Sequence, residues 1–199
     1  MPHYFFPKRY ADFAQRLRAP SGFALAAAFA WWAAPTAQSL ATGAPISVLG
    51  LLLRGWAAGH LAKNQRLATG GPYALTRNPL YLGTALVAAG MVVASRQPAL
   101  TVLFTAAFAL VYLPAIELEE QHLRTLFPEY EEYARRVPRL WFRIQSRDLS
   151  LDRQGAVPFT EQEKAGSFQM ALYRKNEEYK AAAGFLAGMA LLVWKTLYS

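Results

Sequence analysis

The chain has 199 residues, 54% of them hydrophobic, a formal net charge of +8 and no Cys. Zero Cys excludes disulfides and thiolate metal sites, and His3, His60 and His122 lack the spacing of metal ligands. One domain over residues 1–199 is expected. Its apolar residues come in membrane-spanning blocks, so the positive charge points to an anionic bilayer surface rather than to nucleic acid.

Residues 4–18 mix Phe5, Phe6, Phe13 and Leu17 with charged side chains and read as an interfacial amphipathic segment. Pro20-Ser21-Gly22 should break it from the first span, and the first twenty residues lack the apolar core of a signal peptide. Five apolar runs come next, at about residues 22–40, 45–61, 80–95, 98–116 and 181–198. Most approach the ~17–25 residues a membrane helix needs. The predicted fold is all-α and polytopic, with about five transmembrane helices.

Only Arg96-Gln97 separate the third and fourth runs, which should form a tight antiparallel hairpin. Asn78 and Pro79 suit the N-cap and first position of the third span, whose free N–H groups would face the preceding loop. Pro114 should kink the fourth span just before Glu117. Residues 146–180 read as a cytoplasmic loop and helix leading to the last span. Lys8, Arg9, Arg16, Arg18, Lys63, Arg66, Arg77 and every Lys and Arg from Arg124 to Lys180 then share one side, leaving only Arg96 and Lys195 outside. This charge bias puts the N-terminus inside and the C-terminus outside; in a bacterium the membrane would be the inner one.

A polar stretch, Gly70-Gly71-Pro72-Tyr73 and then Arg77-Asn78-Pro79-Leu80-Tyr81-Leu82-Gly83, lies between two apolar runs. Glu117, Glu119 and Glu120 end a later one, where carboxylates are costly to keep without a use. Together they suggest a pocket for a polar ligand at the membrane surface. Glu119 and Glu120 lie about 100° apart on a helix and cannot face the same neighbour. Glu120 and Arg124 are spaced for a surface pair. Arg54, deep in the second run, should snorkel or find a carboxylate. Solvated carboxylates, interfacial Tyr73 and Tyr81, and a His60 that caps the second span are the purely structural alternatives.

The ordered set Gly71-Pro72-Tyr73, Arg77 to Gly83, a Pro-started apolar span, Glu119-Glu120-x-x-Leu123, Tyr130-x-x-Tyr133 and Val137-Pro138-Arg139 resembles the isoprenylcysteine carboxyl methyltransferase-like family. These are integral-membrane enzymes related to phospholipid N-methyltransferases. The resemblance covers about residues 60–139 and implies a catalytic core there that binds S-adenosylmethionine. The acceptor would be a lipophilic small molecule or lipid from the bilayer, such as a phospholipid headgroup or an isoprenoid-type substrate. Cofactor contacts are implied at His60, Gln65, Leu67, Ala68, Tyr73, Arg77, Asn78, Pro79, Tyr81, Glu119 and Glu120, with no catalytic residue assigned. Ala115 stands where prenylcysteine enzymes carry an Arg, so that activity is not carried over.

The chemistry suits the cofactor. Glu119 matches its cationic groups, and Asn78, His60 or helix-end N–H groups match its carboxylate. Tyr73 or Tyr81 can pack against adenine or the sulfonium. An amine acceptor would lose its proton to Glu120, His122 or the lipid phosphate. A sterol-type reductase with a nicotinamide cofactor and a non-catalytic membrane protein are the competing readings. Oligomeric state is not legible.

Overall fold

The computed structural model describes residues 5–142 and 167–198; the expectations for residues 146–166 lie outside these. Among the described residues every regular element is helical. Helix α1 (Lys8–Trp32) runs unbroken through Pro20, so residues 8–18 are the first half of a longer helix rather than a separate piece. Pro20 removes one helix hydrogen bond, but Ala11, Ala14 and Phe29 are buried on both sides of it and keep the helix packed.

The run 22–40 is not one span. Pro35 pushes Ala34 out of the helical region, and α1 stops at Trp32. Thr36 and Ser39 then bond reciprocally, side chain to backbone, and start α2 (Ala37–Ala58). Pro45 therefore sits inside α2 rather than at its start. A short 3₁₀ turn (Gly71–Ala74) precedes α3 (Pro79–Ser95). Helix α4 (Pro98–Ala107) continues through a π turn (Phe108–Tyr112) into α5 (Leu113–Leu126). The described chain ends with α6 (Tyr130–Arg136), α7 (Met170–Lys175) and α8 (Tyr179–Tyr198).

Three stretches are long and apolar enough to cross a membrane, namely Ala37–Ala58, Pro98–Leu126 and Tyr179–Tyr198. The expected five are not reached by that measure. Helix α3 is apolar but has 17 residues, the lower limit for a span, and α1 carries its charges in its first half. The chain is an integral membrane protein.

Helix α3 packs chiefly on α2, and only slightly on α4 across the tight turn at Arg96. Small residues explain the preference. A β-carbon on Gly43 would sit 2.3 Å from the Gly90 carbonyl oxygen, and one on Gly50 would sit 2.6 Å from that of Gly83. With the backbones this close, Ser39 Oγ donates to the Ala94 carbonyl at 2.8 Å and Ser47 Oγ to that of Val87 at 3.0 Å. Close approach plus interhelical hydrogen bonds is how helices associate in lipid, where the hydrophobic effect offers little.

Helix α8 is fastened at both ends. Glu178 forms a two-pronged ion pair with Arg54 of α2, and Arg54 also donates to Thr84 of α3. At the far end Lys195 Nζ reaches the carbonyls of Trp31 (3.1 Å) and Ala33 (3.0 Å), closing the C-terminus of α1.

Candidate functional site

The polar loop, α5 and the segment after α6 are drawn together by one buried carboxylate. Glu120 is 2% exposed. One of its oxygens accepts from Arg139 Nε (3.1 Å) and Nη2 (2.7 Å). The other accepts from Asn78 Nδ2 (3.2 Å) and lies 3.4 Å from Arg77 Nη1. The Arg139 carbonyl accepts from Thr76 Oγ1 and Asn78 Nδ2, and the Pro138 carbonyl from the Arg77 N–H. The Asn78 side chain therefore does not cap α3; Glu120 and Arg139 engage its amide instead. The expected Glu120–Arg124 pair is absent as well, because Glu120 points inward and Arg124 pairs with Glu131 at 3.3 Å.

Tyrosines extend this knot. Tyr133 Oη donates to the Tyr73 carbonyl at 2.7 Å. Burial first, and then the Glu119 charge, push the Tyr73 phenol far above its usual range. Burial and the neighbouring Tyr130 do the same to Tyr133. Tyr130 is pushed up to about 12 by burial, with the Glu120 charge adding to it. Arg77 opposes that rise through its charge, although the Tyr130 hydroxyl and Arg77 Nε are not in hydrogen-bond geometry. Burial alone would lower Arg139, but its hydrogen bonds to Glu120 and the Glu120 charge outweigh that and raise it. All four groups therefore keep their neutral-pH protonation state over a wide range.

His60 sits behind the loop. Its Nδ1–H donates to the Trp56 carbonyl at 2.8 Å. Gly71 has φ +57°, and a β-carbon there would lie 2.5 Å from His60 Nε2. Glycine is thus needed both for the left-handed turn and for the imidazole's space.

Glu119, one residue along the helix from Glu120 and turned about 100° from it, is exposed. It lines an open cleft of about 640 Å³ between the first half of α1, the loop after α2, the start of α3 and the end of α5. Across it Arg18 Nη1 donates to Tyr81 Oη at 3.1 Å, and Tyr81 Oη donates to Glu119 Oε2 at 2.9 Å. Lys8, Lys63, Asn64, Gln121 and His122 complete most of the polar lining. Three helices thus meet at one phenol held between a cation and an anion.

The π turn explains how α5 reaches this position. Pro114 has no N–H for the Leu110 carbonyl four residues earlier, and Tyr10 Oη donates to that carbonyl at 2.7 Å. The Leu113 N–H bonds five residues back, to Phe108. The irregularity expected at Pro114 is thus a wide turn in the residues just before it. Glu117, 4% exposed, accepts from the Phe5 N–H at 2.7 Å and holds that residue against α5.

A second cavity of about 810 Å³ lies within the bundle among α1, α3, α4, the π turn and α8, lined by Leu25, Phe29, Met91, Phe104, Tyr112 and Leu191 among others. Tyr112 meets the Tyr81 ring edge-on, with centroids 6.3 Å apart. The polar cleft and the apolar cavity therefore share an aromatic wall.

Of the cofactor contacts implied in the sequence, Tyr81 and Glu119 line the cleft, as do Ala115 and His122, singled out there on other grounds. Tyr73, Asn78, Pro79, Glu120 and His60 are buried behind it and Arg77 is half-buried, while Gln65 is exposed and Leu67 and Ala68 are half-buried in the loop. Lys8, Gln15, Arg18, Lys63, Asn64, Leu118 and Gln121 were not foreseen as lining residues.

Known proteins share part of this chain. It is 36% identical over 116 residues to the cobalt-zinc-cadmium resistance protein CzcN of Cupriavidus metallidurans, covering 57% of this chain and 52% of that protein. It is 34% identical over 91 residues to the nickel-cobalt-cadmium resistance protein NccN of Alcaligenes xylosoxydans xylosoxydans, covering 45% of this chain and 43% of that one. The chain thus spans about half the length of these curated relatives. No solved structure matches significantly. Residues 38–130, from α2 to the start of α6, match the phospholipid methyltransferase family, the kinship implied by the motif order.

Proposed function

We propose that the protein is an S-adenosylmethionine-dependent methyltransferase acting on a lipophilic acceptor drawn from the bilayer. One observation carries the reading: a polar cleft and an apolar intramembrane cavity adjoin at Tyr81 and Tyr112. Both volumes fall in the ~300–1,000 Å³ range of small-molecule sites. The family match of residues 38–130 supports the reaction class.

The cleft suits the cofactor chemically. Glu119 offers a carboxylate to cationic groups, Tyr81 an aromatic face, and Gln15, Asn64 and Gln121 neutral donors and acceptors. When bound, the cofactor supplies an electrophilic methyl group on a sulfonium. The chain's part is positional. Arg18 and Glu119 fix the Tyr81 phenol from both sides, and the Glu120 knot fixes the loop and α5 relative to each other. Residues of α1, α3 and α8 hold an apolar tail so that its headgroup meets the cleft at the aromatic wall. Orientation and exclusion of water can supply much of the rate enhancement of such a displacement.

On this reading the buried Glu120 is a scaffold residue, and Glu119 and Tyr81 are the acidic and aromatic contacts. The cleft end of the bundle faces the cytoplasm, as the charge bias implies. The relatives' names link them to metal resistance; for this chain we carry that over as methylation of a membrane component that alters metal tolerance. Membranes containing the protein, given methyl-labelled cofactor, should incorporate label into the lipid extract, and Glu119→Ala should lower incorporation at least about tenfold, as for loss of one charge-assisted contact. Label confined to water-soluble products, or unchanged in the variant, contradicts the reading.

A further inference from the structure

Two adjacent carboxylates leave the rotation of α5 undecided by the Glu120 knot. A hydrogen bond that closes five residues back instead of four holds one extra residue in its turn. Everything beyond it lags by one residue's rotation, about 100°. Phe108–Tyr112 is such a turn, with the Leu113 N–H on the Phe108 carbonyl. Were the helix straight from Pro98 onward, each later side chain would take the direction its successor has now. Glu119 would enter the place of Glu120, facing Arg77, Asn78 and Arg139. Glu120 would take that of Gln121, and Leu118 that of Glu119 at the Tyr81 hydroxyl. The knot would keep a carboxylate, and Tyr81 would face a leucine. Something other than the knot must therefore choose. Two bonds from in and just before the first turn of α1 bracket the π turn. Tyr10 Oη donates to the Leu110 carbonyl and the Phe5 N–H to Glu117 Oε1, each at 2.7 Å. The first supplies the donor that Pro114 lacks. The second needs a carboxylate where a straight helix would place Ile116, leaving the N–H without an acceptor.

We propose that Tyr10 is a positioning residue: its hydroxyl, on the Leu110 carbonyl, holds the π turn and so decides which of two adjacent carboxylates faces Tyr81 in the cleft. The effect on binding rests on the cofactor reading; the effect on helix rotation does not. Tyr10 and Phe5 lie outside residues 38–130, so a stretch beyond the matched segment sets the rotation of a helix inside it.

The chain has no Cys, so a single introduced thiol reports its own position. Leu118 is half-buried and His122 exposed. Loss of the π turn moves position 118 to the exposed direction of Glu119, and position 122 to the half-buried direction of Leu123. Leu118→Cys and His122→Cys are therefore made in the full-length protein, in neutral detergent, alone and together with Pro114→Ala or with both Pro114→Ala and Tyr10→Phe. Pro114→Ala restores an N–H for the Leu110 carbonyl, and Tyr10→Phe removes its rival. With both changes the thiol at position 118 should react faster with a charged methanethiosulfonate and the thiol at position 122 slower. Pro114→Ala alone, with Tyr10 still on the carbonyl, should change both rates less. A mere loosening of α5 would speed both. S-adenosylhomocysteine affinity, measured without either Cys, should fall at least about tenfold in Tyr10→Phe with Pro114→Ala, because the Glu119 charge leaves the cleft contact. Unchanged labelling, or both thiols reacting faster, overturns the proposal. So do equal changes with and without Tyr10→Phe, which leave Tyr10 no part. A reciprocal labelling change with unaltered S-adenosylhomocysteine affinity also overturns it, because the turn would then be structural only. Failure of the unsubstituted protein to bind S-adenosylhomocysteine defeats the cofactor reading instead, and the two labelling rates still decide the rotation of α5.

Discussion

Replacing Glu120 by Ala should unfold the site from behind. The carboxylate accepts three hydrogen bonds, from Arg139 Nε and Nη2 and from Asn78 Nδ2, and has Arg77 at 3.4 Å. Its removal strands the Arg77 and Arg139 guanidinium groups and takes one of two acceptors from the Asn78 amide. Breaking a buried pair from one side costs about 3–5 kcal/mol, mostly because the other charge is left uncompensated. For a chain of this size 1 kcal/mol is worth about 2–4 °C, so the midpoint should fall by roughly 6–20 °C. Glu119→Ala loses one exposed hydrogen bond to Tyr81, worth about 0.5–1.5 kcal/mol, and should shift the midpoint by less than about 6 °C. Thermal unfolding of both variants in one detergent makes the comparison. The double variant Glu120→Ala with Arg139→Ala should lose less than the sum of the single losses, because the two residues share one interaction. Equal shifts for Glu119→Ala and Glu120→Ala would refute the division into a scaffold carboxylate and a cleft carboxylate.

Arg54→Met leaves Glu178 buried and unpaired and should cost about 3–5 kcal/mol, whereas adding Glu178→Met should restore most of it; equal stability of the single and double variants contradicts this. Gly43→Val would push a β-carbon to 2.3 Å from the Gly90 carbonyl oxygen and should cost at least about 1–3 kcal/mol, while Gly22→Ala, with nothing within 4 Å, should be nearly silent in the same melt. The native state keeps the Tyr130 proton up to about 12, whereas an unfolded tyrosine releases it near about 10. Its contribution is therefore whole below about pH 10 and should be lost at roughly 1.4 kcal/mol per pH unit as pH rises through that window. Melts from pH 9 to 12 should show a shallower decline for Tyr130→Phe, and identical slopes would exclude the effect.

Helix identity and the membrane setting were legible because apolar runs and charge bias are linear properties of the chain. Pro79 and Pro98 marked helix starts correctly. Pro45 and Pro20 did not, because packing on both sides of an interior proline outweighs one lost hydrogen bond. The signal missed near residue 36 was Pro35-Thr36 followed by Ser39, a turn and a capping box inside an apolar run. The α2–α3 pairing was written in Gly43, Ser47, Gly50, Gly83 and Gly90, but one helix's small residues do not name their partner. At the site, the angular separation of Glu119 and Glu120 was readable from helix geometry and appears as one exposed and one buried carboxylate. Arg139 as partner of Glu120 was not, because the two are nineteen residues apart with a helix between them. Lys8 and Arg18 escaped notice because their place at the cleft depends on how α1 packs against α5 and the π turn.

The most direct measurement is calorimetric titration of the purified protein with S-adenosylhomocysteine, alongside Tyr81→Ala and Glu119→Ala, the two side chains that meet in the cleft. Saturable binding to wild type, weakened at least about tenfold in both variants, is expected, as for loss of an aromatic or charge-assisted contact in a formed site. No binding to wild type, or equal affinity in all three proteins, would contradict a nucleoside cofactor between α1, α3 and α5.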